Sequence, residues 1–280
     1  KPAGTQVEGG WIGIDVEPES PPEVPYEGIV GPAEVAARLE VPMFFHGRYS
    51  DPDPPGTNAD TLEEILRTAA DTGASVHVEH ITSTGGTFTM AESLATLDAA
   101  RDDGIDVTAC MYPYNYWATY LGSARFADGW QERFRISYDD LEIAGRGERL
   151  TEATFRSWQA RNPLVAAHNS IPDEDVELAM ASPWVMIGSD AILEEGNNNH
   201  PRSTGCFART LGVYVREKQV IGLMDGLAKM TLLPALRLQA GAPTFRRKGR
   251  LQVGADADIT VFDPLTVKDR STVKDPAQMS

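Results

Sequence analysis

The chain has 280 residues, 41% of them apolar and 24% charged, which is the balance of a globular protein and excludes a disordered or fibrous one. Acidic residues outnumber basic ones by 41 to 25, a net charge of −16, so nucleic acid or an anionic membrane is not expected as the main partner, since both select a basic face. Cys110 and Cys206 are too few for a disulfide framework, no apolar run is long enough to span a membrane, and no signal peptide is visible, so the expected location is the cytoplasm.

Along the chain, strands and helices alternate. Residues 11–16 read as a short apolar strand, 32–40 as a helix with Ala, Val and Leu at helical spacing, and 41–46 as a second strand. A capped helix starts at Asn58 and runs to Thr72, with Gly73 as its stop. Strand 75–81, helix 89–103 closed by Gly104, and strand 105–112 follow. Residues 115–162, rich in Trp, Tyr, Phe and Arg, are too long for an ordinary connection and read as an insertion or lid. The rhythm is expected to resume at 164–168, with a helix over 172–181 and a strand over 185–190. Residues 211–239 read as mostly helix, and 249–263 as two strands around a turn. The expected organisation is 1–114 barrel strands and helices, 115–162 insertion, 163–245 end of the barrel, and 246–280 returning strands of a small β domain.

Repeated strand–helix units imply an α/β fold with parallel strands, either a closed (β/α) barrel or a doubly wound sheet; no Gly-x-Gly-x-x-Gly supports nucleotide binding. His46, His80 and Asp190 each end a strand and precede a polar loop. In a parallel barrel those ends form the active face, and imidazoles converging there with a carboxylate are zinc-type ligands. The alternative, strand-end residues that merely hydrogen-bond their loops, suits any one of them alone better than all three. Side-chain alternation turns His77 and Glu79 away from the face of His80, so both are expected to meet helices. His168 follows a strand, with its role open; His200 sits in a polar loop, and Arg202 beside it is either a carboxylate clamp or a surface arginine. Tyr112 either hydrogen-bonds a substrate or packs beneath the lid, while Cys110, Cys206 and the tryptophans of the insertion read as packing.

The segments Phe45-His46-Gly47-Arg48-Tyr49, Val78-Glu79-His80, Met111-Tyr112-Pro113-Tyr114, Met186-Ile187-Gly188-Ser189-Asp190 and His200-Pro201-Arg202, with Lys229-Met230-Thr231 and the stretch from Gly249 to Pro264, together resemble the amidohydrolase superfamily and, within it, the N-acyl-D-amino-acid deacylases. The stretch from Tyr116 to Thr151 resembles the members acting on N-acyl-D-glutamate. The resemblance implies a TIM-type (β/α)8 barrel beside a small β-sandwich, with a small-molecule N-acyl-D-amino acid as substrate and one or two Zn2+ ions as cofactor. It implies that His46 and His80 bind the tighter zinc, that Asp190 is a metal ligand and the catalytic proton carrier, and that Tyr112 and Arg202 hold the substrate α-carboxylate.

The departures are specific. No His-x-His occurs, no bridging Cys stands on an early strand, and Thr82 occupies a position where many deacylases have Lys; Glu17 and Glu19 are the carboxylates nearest the gap. The chain is therefore expected to span about barrel strands four to eight plus the first returning strands, and to bind metal weakly and catalyse little alone. A cyclic amidase of hydantoinase or dihydroorotase type and a non-catalytic barrel are the competing readings.

Overall fold

The structure is a computed structural model that describes residues 12–19, 24–192 and 199–280. Strand β1 (Ile14–Val16) leads into helix α1 (Tyr26–Arg38), β2 (Met43–Phe45), α2 (Asn58–Thr72), β3 (Val76–Val78), α3 (Met90–Asp102) and β4 (Val107–Met111). Helix α1 begins before Pro32, which it carries internally, so the proline does not mark its start as its sequence position suggests. Helix α2 has the ends foreseen: the Thr57 hydroxyl accepts from the Asp60 amide, the Asp60 carboxylate accepts from the Thr57 amide, and Gly73 closes it at φ +72°.

The next stretch builds β5 (Trp117–Tyr120), α4 (Trp130–Phe134), β6 (Leu141–Ile143), β7 (Glu148–Arg149), α5 (Glu152–Gln159) and β8 (Leu164–Ala167). After it come α6 (Asp173–Ala181), β9 (Met186–Ile187), α7 (Arg202–Arg209) continued by a π-helical stretch over Thr210–Glu217, α8 (Leu223–Met230) and α9 (Leu232–Leu238). No helix of the described residues is long and apolar enough to cross a membrane.

Five strands pair in the order β1-β2-β3-β4-β9, all parallel. The register aligns Val16, Phe45, Val78 and Ala109 across the sheet, and Met111 with Ile187. Phe45, Val78, Ala109 and Met111 are wholly buried, as expected for parallel strands covered on both faces. Because the strands run in register, the residues that follow them are delivered to one rim: His46 after β2, His80 after β3, Tyr112 after β4 and Asp190 after β9.

Two expectations change. The segment Leu164–Ala167 does not resume the barrel; it pairs antiparallel with β5 and β6 in a separate sheet of order β5-β8-β6-β7. An apolar run of four residues fits a buried strand of either direction, so its hydropathy does not reveal its partners. Residues 249–263 contain no strand among the described residues. Their alternating Leu251, Val253, Ile259 and Val261 stand in solvent, because a β-strand exists only when another backbone satisfies its amides. The remainder of this C-terminal stretch runs across α7 and the second sheet. Asp269 accepts from the Tyr114 hydroxyl at 2.7 Å, Thr204 donates to the Pro276 carbonyl at 2.6 Å, and the Gly145 amide donates to the Val273 carbonyl at 2.8 Å.

Candidate active site

A cavity of about 390 Å³ opens at the carboxyl rim of the parallel sheet. His46, His80, Asp190 and Arg202 line it together, with Asp15, Glu17, Glu19 and Glu79 from the strand ends and Trp117, Ser123 and Arg125 from the second sheet and its connection. A smaller chamber of about 180 Å³ adjoins it, lined by Glu79, His80, Cys110, Tyr112, Gly188 and Asp190.

The imidazoles of His46 and His80 meet edge to face with ring centres 4.5 Å apart. His80 Nδ1 faces the hydroxyls of Ser83 and Thr84, each at 3.2 Å, which leaves Nε2 as the nitrogen to offer a ligand. Burial, reinforced by the cationic sides of His46, Arg202 and Arg125, holds His80 neutral well below the usual imidazole range, the form that ligates metals. His46 Nε2 lies 2.8 Å from Glu19 Oε2. Burial opposes charge on Glu19, but Arg125 and His46 outweigh it and hold the carboxyl down to about 2.

Two site residues have left-handed backbones, His80 at φ +29° and Asp190 at φ +46°. These turns end the strand pleat and overturn the alternation argument for Glu79, which lines both cavities instead of facing helices. Burial together with the carboxylates of Asp15 and Asp190 pushes Glu79 up to about 8. His77 does turn away: its Nδ1 is 2.7 Å from the Thr108 hydroxyl, its ring packs edge-on to Phe44, and burial pushes it down to about 3.

Arg202, only 2% exposed, grips Asp190 twice: Nη2 lies 2.8 Å from Oδ2, and Nε donates to the backbone oxygen at 2.7 Å. Its guanidinium lies 4.7 Å over the Tyr112 ring. Tyr112 sits beneath the site in the smaller chamber, wholly buried, with no hydrogen-bond partner for its hydroxyl among the described residues. Arg125, 6% exposed, was not singled out from the sequence. Its Nε meets Glu19 at 3.2 Å, and its Nη2 donates to Ser50 Oγ and to the Ser83 carbonyl, each at 2.9 Å. In both Arg125 and Arg202 the remaining nitrogen, Nη1, is buried with no partner among the described residues.

His168 lies on the second sheet, with Nε2 2.9 Å from Glu142 Oε2. His200, read from sequence as part of a polar loop, is wholly buried. Among the described residues no three His, Cys, Asp or Glu side chains form a ready-made metal group. The donor chemistry nevertheless fits a metal of the zinc type, with two neighbouring imidazoles and a carboxylate already hydrogen-bonded to one of them.

A family model described as the amidohydrolase family matches residues 42–279. The chain belongs to this family. This amidohydrolase chain is 34% identical over 229 residues to an N-acyl-D-glutamate deacylase of Alcaligenes xylosoxydans xylosoxydans, a match that covers 78% of the chain and 45% of the relative. Among solved structures, the N-acyl-D-glutamate deacylase from Bordetella bronchiseptica, complexed with zinc and a phosphonate inhibitor, superposes with a TM-score of 0.74 at 30% identity, covering 91% of this chain and 53% of that one. A D-aminoacylase described for its binuclear metal centre superposes with a TM-score of 0.82 at 25% identity, covering 98% and 58%. The five parallel strands are part of a (β/α)8 barrel, and the chain spans about half the length of the relatives it matches.

Proposed function

We propose that this site serves hydrolysis of the amide of an N-acyl-D-amino acid, with N-acyl-D-glutamate as the favoured substrate. The observation that carries the reading is the pair of buried arginines, Arg125 and Arg202, that line one cavity, each with its Nη1 without a partner among the described residues. A buried cationic donor without an acceptor is costly, so the cavity is built for a ligand that brings acceptors. A dicarboxylate brings two. Arg202 beside Asp190 suits the α-carboxylate next to the scissile amide, and Arg125 on the insertion side suits the carboxylate of the side chain. The relatives named for N-acyl-D-glutamate support the same choice over a cyclic amidase.

His46 and His80 are the residues that would hold the metal, with Glu19 and Asp190 as carboxylates within the same cavity. A bound zinc would supply Lewis acidity toward the amide carbonyl and toward water. Asp190 is the proton carrier, accepting from the attacking water and returning the proton to the departing amine. Arg202 holds the carboxylate through Nη2 and the backbone oxygen through Nε, which fixes Asp190 at the rim for that exchange. Tyr112 supports the Arg202 guanidinium from below through its ring face. The test is to supply zinc to the native protein that carries this chain and measure release of D-glutamate from N-acetyl-D-glutamate, with the L-enantiomer and a hydantoin as controls. Release from the D-substrate alone, lost in Asp190→Asn, is expected; equal cleavage of both enantiomers, or of the hydantoin instead, refutes the reading.

A further inference from the structure

The sequence His200-Pro201-Arg202 folds into a device at the start of α7. Arg202 is the first residue of that helix, and a first-turn amide has no partner within its own helix. Here the amide is not left to water. It donates to His200 Nδ1 at 2.8 Å, across a proline with φ −51° that bends the chain back. The nitrogen that accepts a hydrogen bond must be the unprotonated one, so the ring proton of neutral His200 sits on Nε2, which lies 3.3 Å from the Tyr116 carbonyl.

The ring is clamped on several sides. Tyr116 stacks on it at 4.6 Å and 30°, Tyr114 meets it edge-on at 5.1 Å and 87°, and Tyr112 is tilted beside it at 6.2 Å. The other face of Tyr116 stacks on His168 at 4.8 Å, and His168 is tied to Glu142. The lining of neither cavity includes His200, so it does not meet a ligand directly. Burial and the neighbouring charge of Arg202 keep it neutral well below the usual imidazole range.

We propose that His200 is a positioning residue: through Nδ1 it fixes the Arg202 backbone, and through Arg202 it fixes the carboxylate of Asp190. Its functional meaning rests on the deacylase reading; the hydrogen-bond arrangement does not. The order His-Pro-Arg then has a reason at each place, with the acceptor first, the bend second, and the guanidinium that reaches back to the strand end third.

The test uses the full chain labelled with 15N. The Arg202 Nε–H signal, identified by its loss in Arg202→Lys, reports whether the guanidinium is held on the Asp190 carbonyl. His200→Asn puts an amide oxygen near the place of Nδ1 and is expected to keep that proton slow to exchange with solvent. His200→Gln, whose polar atoms reach the place of Nε2, is expected to speed its exchange by about tenfold or more. Exchange as slow in His200→Gln as in the wild type overturns the proposal. If His200→Gln fails to fold, the wild-type ring decides: an unprotonated Nδ1 at neutral pH is expected, and a proton on Nδ1 at neutral pH overturns it.

With N-acetyl-D-glutamate, kcat/KM is expected to fall about 100-fold in His200→Gln and to return largely in His200→Asn, and equal loss in both variants counts against positioning. Absence of any hydrolysis by the wild-type native protein that carries this chain refutes the deacylase reading, while the exchange result still decides the role of His200.

Discussion

Replacing Arg125 with Met tests the division of substrate recognition most directly. The side chain is almost fully buried, and methionine keeps much of the stem while removing every donor. Two consequences follow with separate magnitudes. The first is on folding. Glu19 is held near 2 against an ordinary value of 4.5, a difference worth about 3 kcal/mol that Arg125 and His46 supply jointly against burial. A depressed carboxyl stabilises the fold fully above 4.5 and loses that contribution as pH falls toward 2. Losing Arg125 removes part of it, so the variant should unfold about 1–2 kcal/mol more easily at pH 7.

The second consequence is on selectivity. One hydrogen bond from a buried guanidinium to a carboxylate contributes about 1.5–3 kcal/mol, or about ten- to a hundredfold in kcat/KM. That loss should fall on N-acetyl-D-glutamate and spare N-acetyl-D-methionine. The assay is kcat/KM for both substrates, with the urea midpoint of each protein measured alongside. Equal loss on the two substrates would refute the assignment and leave Arg125 as a structural partner of Glu19.

Three further outcomes are expected. Because His77 sits near 3 in the fold against about 6.5 in the unfolded chain, it contributes stability that is complete above pH 6.5 and is lost as pH falls toward 3; His77→Phe should flatten the urea midpoint over that window. A Cβ at Gly205 would stand 2.0 Å from Asp269 Oδ1, so Gly205→Ala should lower stability by about 2 kcal/mol, and adding Asp269→Ala should recover part of it. His46→Ala and His80→Ala should each reduce zinc retained after dialysis, measured by elemental analysis, whereas His168→Ala should not.

The rim residues were legible in the sequence for a geometric reason. Parallel strands in register bring the residue after each strand to the same edge, so His46, His80 and Asp190 could be grouped from strand ends alone. Glu79 was misread because parity holds only while the pleat continues, and the left-handed backbone at His80 stops it. Arg125 lay hidden in a stretch with no period of its own, and its one signal is an arginine set among Trp117, Phe126 and Trp130. The guanidinium lies 5.0 Å over Trp117, a contact between β5 and the connection that follows it, which no spacing encodes. Residues 249–263 alternate in hydropathy as strands do, yet no strand forms there among the described residues, because pairing requires a neighbouring backbone, which hydropathy does not report.

The cavity draws its walls from two separately paired sheets. The parallel one carries His46, His80 and Asp190, and the antiparallel one with its connections brings Trp117, Tyr120 and Arg125. On the proposed function, reaction and choice of substrate are thereby written in different stretches of the gene. A lineage can exchange the second stretch and acquire a taste for another side chain while the bond-breaking apparatus stays as it was, and a protein engineer can graft it for the same purpose.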